Sequence, residues 1–117
     1  MALDLEPAAT AERVIPALFL LADLATDLAM AESWLDHVAA LIDGEGGDFG
    51  IEASMAKMRA SDVAMRTTTE AVQMHGGYGY CVDLRVERLM RDAKITQIWE
   101  GTNQVHRQLI GRSFARR

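Results

Sequence analysis

The chain has 117 residues, half of them hydrophobic and a quarter charged, with a formal net charge of −5. That balance excludes a disordered chain, and the lack of a continuous basic stripe excludes a nucleic-acid binder. Aromatic residues are only 6% while Ala, Leu and Met abound, which favours helices over sheets in a single domain, residues 1–117.

In chain order, residues 1–14 read as a lead-in. Thr10 is placed to cap a first helix, although Arg13 stands where a capping box prefers Glu. Pro16 suits a helix start better than a helix interior, so the first helix is expected over 15–43. There Leu18, Leu21, Leu24, Leu28, Leu35, Val38 and Ile42 recur at helical spacing, with Asp23, Asp27 and Asp36 largely on the other side. The apolar patch from Val14 to Leu28, broken by Pro16, Asp23 and Asp27, reads as too short and too charged to span a bilayer. Gly44 to Asp48 forms a loop.

A second helix is expected over 51–75, its Met55, Met58, Ala60, Ala64, Ala71 and Val72 giving a shallow face for close packing. Gly76-Gly77 should stop it as left-handed glycines do. Asp83 then caps a short helix, 83–92, where Glu87/Arg91 and Arg88/Asp92 have the spacing of structural ion pairs. After the Trp99-Glu100-Gly101-Thr102 turn, a last helix runs over 103–114. The expected architecture is all-α, an up-and-down helical bundle.

Charge divides along the chain: residues 1–50 hold ten acidic side chains against Arg13 alone, and residues 51–117 hold eleven basic against seven acidic. The halves can attract each other. Alternatively, Arg107, Arg112, Arg116 and Arg117 complement the last helix's dipole or face an anionic ligand or partner subunit. Cys81 is the sole cysteine, so there is no disulfide framework or cysteine metal cluster, and a reducing cytoplasm fits. The N-terminus is acidic at Asp4 and Glu6 and lacks the basic region of a secretory signal.

Polar residues gather at the two glycine punctuations. Glu100, beside the Trp99 ring and before Gly101, is either a desolvated general base or an ordinary first-turn carboxylate. Thr102, Asn103 and Gln104 either seat phosphate or ribose oxygens at a helix start or simply cap it. Gln73 with Gly76, Gly77 and Gly79 either admits a ligand to the backbone or only turns the chain. No histidine–carboxylate spacing suggests a metal site, and no Ser/His/Asp set is present.

Taken together, Ala71-Val-Gln-Met-His-Gly-Gly-Tyr-Gly-Tyr80 followed by Val86-Glu-Arg-Leu-Met-Arg-Asp-Ala-Lys-Ile95 and Trp99-Glu-Gly-Thr102 resemble the C-terminal helical domain of the acyl-CoA dehydrogenase family. The match is dense from Ala71 to Arg112 and extends loosely back to Leu20–Ala25. It implies that Glu100 is the base that removes the α-proton of an acyl-CoA thioester while the β-hydrogen leaves as hydride to FAD. It further implies that Trp99 and Gly101 line the substrate site, Trp99 in place of the commoner Tyr. Thr102, Asn103 and Gln104 would contact FAD, and Gln73, Gly76 and Gly77 would reach the FAD of a neighbouring subunit. The family's subunit is longer, with an N-terminal helical domain, a β-domain and a further bundle helix before the matched part. The chain alone is therefore expected to be inactive, to bind FAD weakly or not at all, and to form homo-oligomers or join a partner chain. The alternative is a non-catalytic helical oligomerisation or binding module derived from that family.

Overall fold

The computed structural model describes residues 7–44 and 47–116. They form helices α1 (Pro7–Asp43), α2 (Gly50–Met74), α3 (Gly77–Tyr80), α4 (Val86–Thr96) and α5 (Asn103–Ala115), so the protein is all-α as expected. Local chemistry explains much of this. The Met- and Ala-rich segment after Gly50 has strong helix propensity, and Thr102 supplies a genuine N-cap, its hydroxyl accepting from Val105 N–H at 3.4 Å.

Three boundaries differ from expectation. α1 is already helical at Pro7 and passes through Pro16; the expected lead-in is therefore helical from Pro7 on, and its first six residues lie outside the described residues. The missing Pro16 N–H costs one internal bond, which the Ala-rich turns before it and the long apolar helix after it outweigh. Thr10 lies inside this helix rather than capping it. Asp83 likewise does not cap α4, which starts at Val86 after a turn closed by Leu84 N–H to Cys81 C=O, 3.3 Å. α4 continues to Thr96 because Ala93 is buried in the helix packing.

α2 is the axis of the fold. α1 packs on α2 and on no other described helix, while α3, α4 and α5 pack on α2 elsewhere. The α1–α2 hairpin is antiparallel. Trp34 Nε1 donates to Glu52 C=O (3.3 Å), and Asp27 is clamped by Arg59 (2.8 Å) and Arg66 (2.6 Å). These arginines belong to the basic half and Asp27 to the acidic half, so the charge asymmetry does act within the chain. Partly exposed pairs of this kind contribute about 0–1 kcal/mol each, and their main effect is on register. Along α1 the buried side chains Leu24, Ala31 and Val38 repeat every seventh residue, the spacing of a single helix–helix seam, and α2 is the helix that α1 packs on.

The result is elongated, 63 × 29 × 28 Å with a radius of gyration of 18.8 Å, against about 13 Å for a compact chain of this length. The excess reflects α1, which exposes Leu18 (56%), Phe19 (67%) and Met30 (68%) on faces that α2 leaves uncovered. One correction follows. The helix from Val14 to Asp43 is long enough, and its most apolar 18-residue stretch, with a mean hydropathy of 1.8, apolar enough, to cross a bilayer by length and composition alone, because Pro16 does not end it. The Asp27 clamp instead ties it to the polar surface of α2. The apolar side chains that α2 leaves uncovered on α1, Leu18, Phe19 and Met30 among them, are the part of the helix that calls for covering.

Candidate functional site

The α4–α5 turn concentrates the unusual geometry. After Gln97 the chain reverses, and Asn103 N–H donates to Gln97 C=O (3.0 Å) to close the loop. Within it Glu100 has φ 54°, the sole non-glycine residue with positive φ among the described residues, and Gly101 follows at φ 88°. Holding a side-chain-bearing residue there costs about 1–2 kcal/mol, so surrounding contacts must enforce it. They do. His106 Nε2 bonds Glu100 C=O (3.1 Å), and Lys57 Nζ donates to Gly101 C=O (2.8 Å). A Cβ on Gly101 would approach His106 Nε2 to 3.2 Å, so the ring would have to shift slightly, and the φ of 88° is what calls for glycine.

The turn is anchored from below by Asn103, 2% exposed. Its amide donates to Asp62 Oδ1 (2.7 Å), Ser61 Oγ (2.8 Å) and Met58 C=O (3.3 Å), and its oxygen accepts from Lys57 Nζ (2.8 Å) and Ser61 Oγ (3.2 Å). Asn103, expected as a cofactor contact, thus has its side chain engaged with α2. Its hydrogen-bonding capacity is consumed internally and none of it faces outward. Asp62 also accepts from Gln97 Nε2 (2.7 Å) and pairs with Arg107.

Burial pushes the Asp62 carboxyl up, but hydrogen bonds from Asn103, Gln97 and Arg107 and the Arg107 charge more than offset it, leaving it below the ordinary value of 3.8. A depressed folded value means the carboxylate's contribution to stability is complete above that ordinary value and is lost as pH falls through the folded one. Denaturant midpoints measured between about pH 5 and about pH 2.5 should therefore fall with acid, and Asp62→Asn should flatten the decline. An unchanged slope in the Asn variant would remove Asp62 from this role.

Glu100 itself is exposed, and its carboxylate bonds no described residue, so the desolvation expected from Trp99 is not present among the described residues. Trp99 is 55% exposed and packs openly beside it. Both line a recess of about 350 Å³ whose other walls are Lys57, Ala60, Ser61, Ala64 and Thr96. An acid at the edge of an apolar recess of this size suits a ligand that joins a polar head to an aliphatic body. On α5, Gln104 is exposed and its amide bonds no described residue, and Thr102 is occupied as the cap.

The second cluster lies at the far end of α2. Gln73 is exposed, Gly76 has φ 59°, and the space beside Gly76 and Gly77 is open. Gly79 serves packing: a Cβ there would sit 2.5 Å from Val72 C=O. Asn103 contacts Ser61 and Asp62, twelve residues before Gln73, so the two clusters stand about 18 Å apart along the helix and do not form one site. Lys57, Ser61, Asp62 and His106 were missed from the sequence. Lys57 and Ser61 share one face at i, i+4, but nothing local marks their partner as a turn over forty residues away.

Comparison with known proteins gives these positions a context. The family model described as acyl-CoA dehydrogenase, C-terminal domain, matches residues 18–115. An acyl-CoA dehydrogenase of Bacillus subtilis is 51% identical over 94 residues, covering 80% of this chain and 24% of the relative. A short-chain-specific acyl-CoA dehydrogenase of Megasphaera elsdenii is 51% identical over 98 residues, covering 84% and 25%. The solved structure of butyryl-CoA dehydrogenase from the same organism superposes with a TM-score of 0.82 at 42% identity, covering 98% of this chain and 29% of that one. The chain thus spans about a quarter of the length of the curated relatives it matches.

Proposed function

The chain belongs to the acyl-CoA dehydrogenase family through its C-terminal domain, and from that premise we propose that it carries the proton-abstracting part of an α,β-dehydrogenation of an acyl-CoA thioester. The observation that carries this is Glu100. It is a carboxylate on a left-handed backbone, free of internal partners, on the wall of an apolar recess. A helical scaffold serving only oligomerisation needs no such strained acid, which favours the enzymatic reading over a non-catalytic module.

In this reading the recess takes the acyl chain, Trp99 flanks it, and Gly101 leaves room beside the base. Glu100 accepts the α-proton as the Cα–H bond breaks. FAD, held by Gln104 and by Gln73 with the backbone at Gly76 and Gly77, would supply two-electron acceptor chemistry for the β-hydrogen, which leaves as hydride as the Cα–Cβ double bond forms.

The residues fit FAD in part. Gln104 beside the start of α5, and Gln73 with the open backbone at Gly76 and Gly77, present free polar groups of the type that hold ribose and phosphate oxygens. Their separation suits contacts to two flavins, the second belonging to a neighbouring subunit. Asn103 does not take part. The exposed, unpaired Cys81 suits a reducing cytoplasm.

The test is fusion of this chain to the preceding domains of the Bacillus subtilis relative, followed by flavin reduction with acyl-CoA. Absence of turnover in a folded, flavin-loaded fusion would refute the proposal. The 117-residue chain by itself should purify colourless and self-associate through α1, because obligate helical interfaces commonly bury at least ~2,000 Å². Sedimentation showing only monomer at micromolar concentration, or a yellow stoichiometric flavin complex, would contradict these two expectations.

A further inference from the structure

The Glu100–Gly101 turn is held by two side chains with no family-level role in the reading above. Two consecutive carbonyls, those of Glu100 and Gly101, point back into the protein and are each met by a side-chain donor, His106 Nε2 at 3.1 Å and Lys57 Nζ at 2.8 Å. Lys57 reaches from α2, forty-four residues away in sequence, and also holds Asn103 Oδ1 at 2.8 Å. Although Lys57 and Glu100 line the same recess, they form no ion pair among the described residues. The lysine spends its charge on backbone and amide oxygens and leaves the carboxylate free.

His106 is placed with equal economy. A carbonyl oxygen only accepts, so the ring carries its proton on Nε2. Its Nδ1 is buried and has no partner among the described residues. Gly101 completes the arrangement, since a side chain there would press on the same Nε2.

We infer that Lys57 and His106 are positioning residues that clamp the Glu100–Gly101 turn in its left-handed conformation and so aim the Glu100 carboxylate at the recess. The inference rests on Glu100 being the base. It goes beyond that reading in assigning the precision of the base to two side chains that act through the backbone carbonyls of the turn rather than on the reacting atoms. Loss of either donor lets residue 100 relax towards an ordinary helical or extended φ, which redirects its side chain.

The first measurement uses the isotope-labelled 117-residue chain. A long-range proton–nitrogen spectrum should show His106 protonated on Nε2, and the Glu100 coupling constant and α-carbon shift should report positive φ. In Lys57→Met and His106→Leu the Glu100 signals should move to ordinary backbone values with helical content unchanged. His106→Gln, whose amide can still donate, should restore them. The second measurement uses the fusion described above. There the two variants should lower kcat roughly 10–100-fold with KM little changed, as small misplacements of a reacting group do, and His106→Gln should recover most of the loss. A shift in Glu100 backbone signals without a fall in kcat, or a fall without the shift, overturns the clamp. If Glu100→Gln abolishes turnover while both clamp variants keep parent rates and signals, the base assignment stands and the clamp fails. If Glu100→Gln turns over like the parent, the base assignment fails and takes the clamp with it.

Discussion

Glu100→Gln in the flavin-loaded fusion is expected to cut acyl-CoA-dependent flavin reduction by at least ~10²–10⁴-fold, the usual cost of removing a general base. The amide preserves volume and can still hydrogen-bond, but it cannot hold the α-proton at neutral pH. The backbone should be unmoved, because the turn is fixed through main-chain carbonyls by Lys57 and His106 rather than through the Glu100 carboxylate. Flavin binding should also survive, since Gln73, Gly77 and Gln104 are untouched. The measurement is stopped-flow flavin reduction under single-turnover conditions, with flavin content determined in parallel. A Gln variant that reduces its flavin at the parent rate would show that another group takes the proton.

Asn103→Ala should be the most destabilising single substitution at the turn, by about 3 kcal/mol. The side chain is buried at 2% exposure and links Lys57, Ser61, Asp62 and the Met58 carbonyl. Truncation takes one partner each from Lys57, Ser61, Asp62 and the Met58 carbonyl and leaves a cavity where α5 meets α2, and buried polar groups left short of partners cost more than the net value of the bonds they lose. Gln104→Ala, one residue on and exposed, is the natural control and should stay within about 0.5 kcal/mol. Urea midpoints compared at constant slope decide the matter. Equal midpoints for the two alanine variants would mean that Asn103 does not anchor α5 to α2.

The contrast between these neighbours shows how far the sequence could be read. Thr102, Asn103 and Gln104 are three polar residues in a row at a helix start, equally suited to capping or to ligand contact. In space they divide: Thr102 caps, Asn103 turns inward, and Gln104 faces out. Glu100 was identified by its motif, but the left-handed φ that makes it unusual leaves no trace in composition. Gly79 looked like part of a ligand-admitting loop and proves to be the point where α3 presses on the α2 backbone.

The sequence by itself determined the all-α class, the approximate helix spans and the order of motifs that identifies the family. These depend on spacing within a few residues, on glycine punctuation and on short ion pairs such as Glu87–Arg91, 2.8 Å apart one helical turn along. Only the tertiary structure decided that α2 is the hub, that α1 touches nothing else described, and that Lys57, Asp62 and His106 support the Glu100 turn. Lys57 and Asp62 reach the turn across more than thirty residues, and His106 depends on a fold-back of the turn itself. Which lysine, aspartate or histidine is recruited is fixed by how the helices pack, and the hydrophobic effect that drives that packing is non-directional and leaves no local signature in the chain.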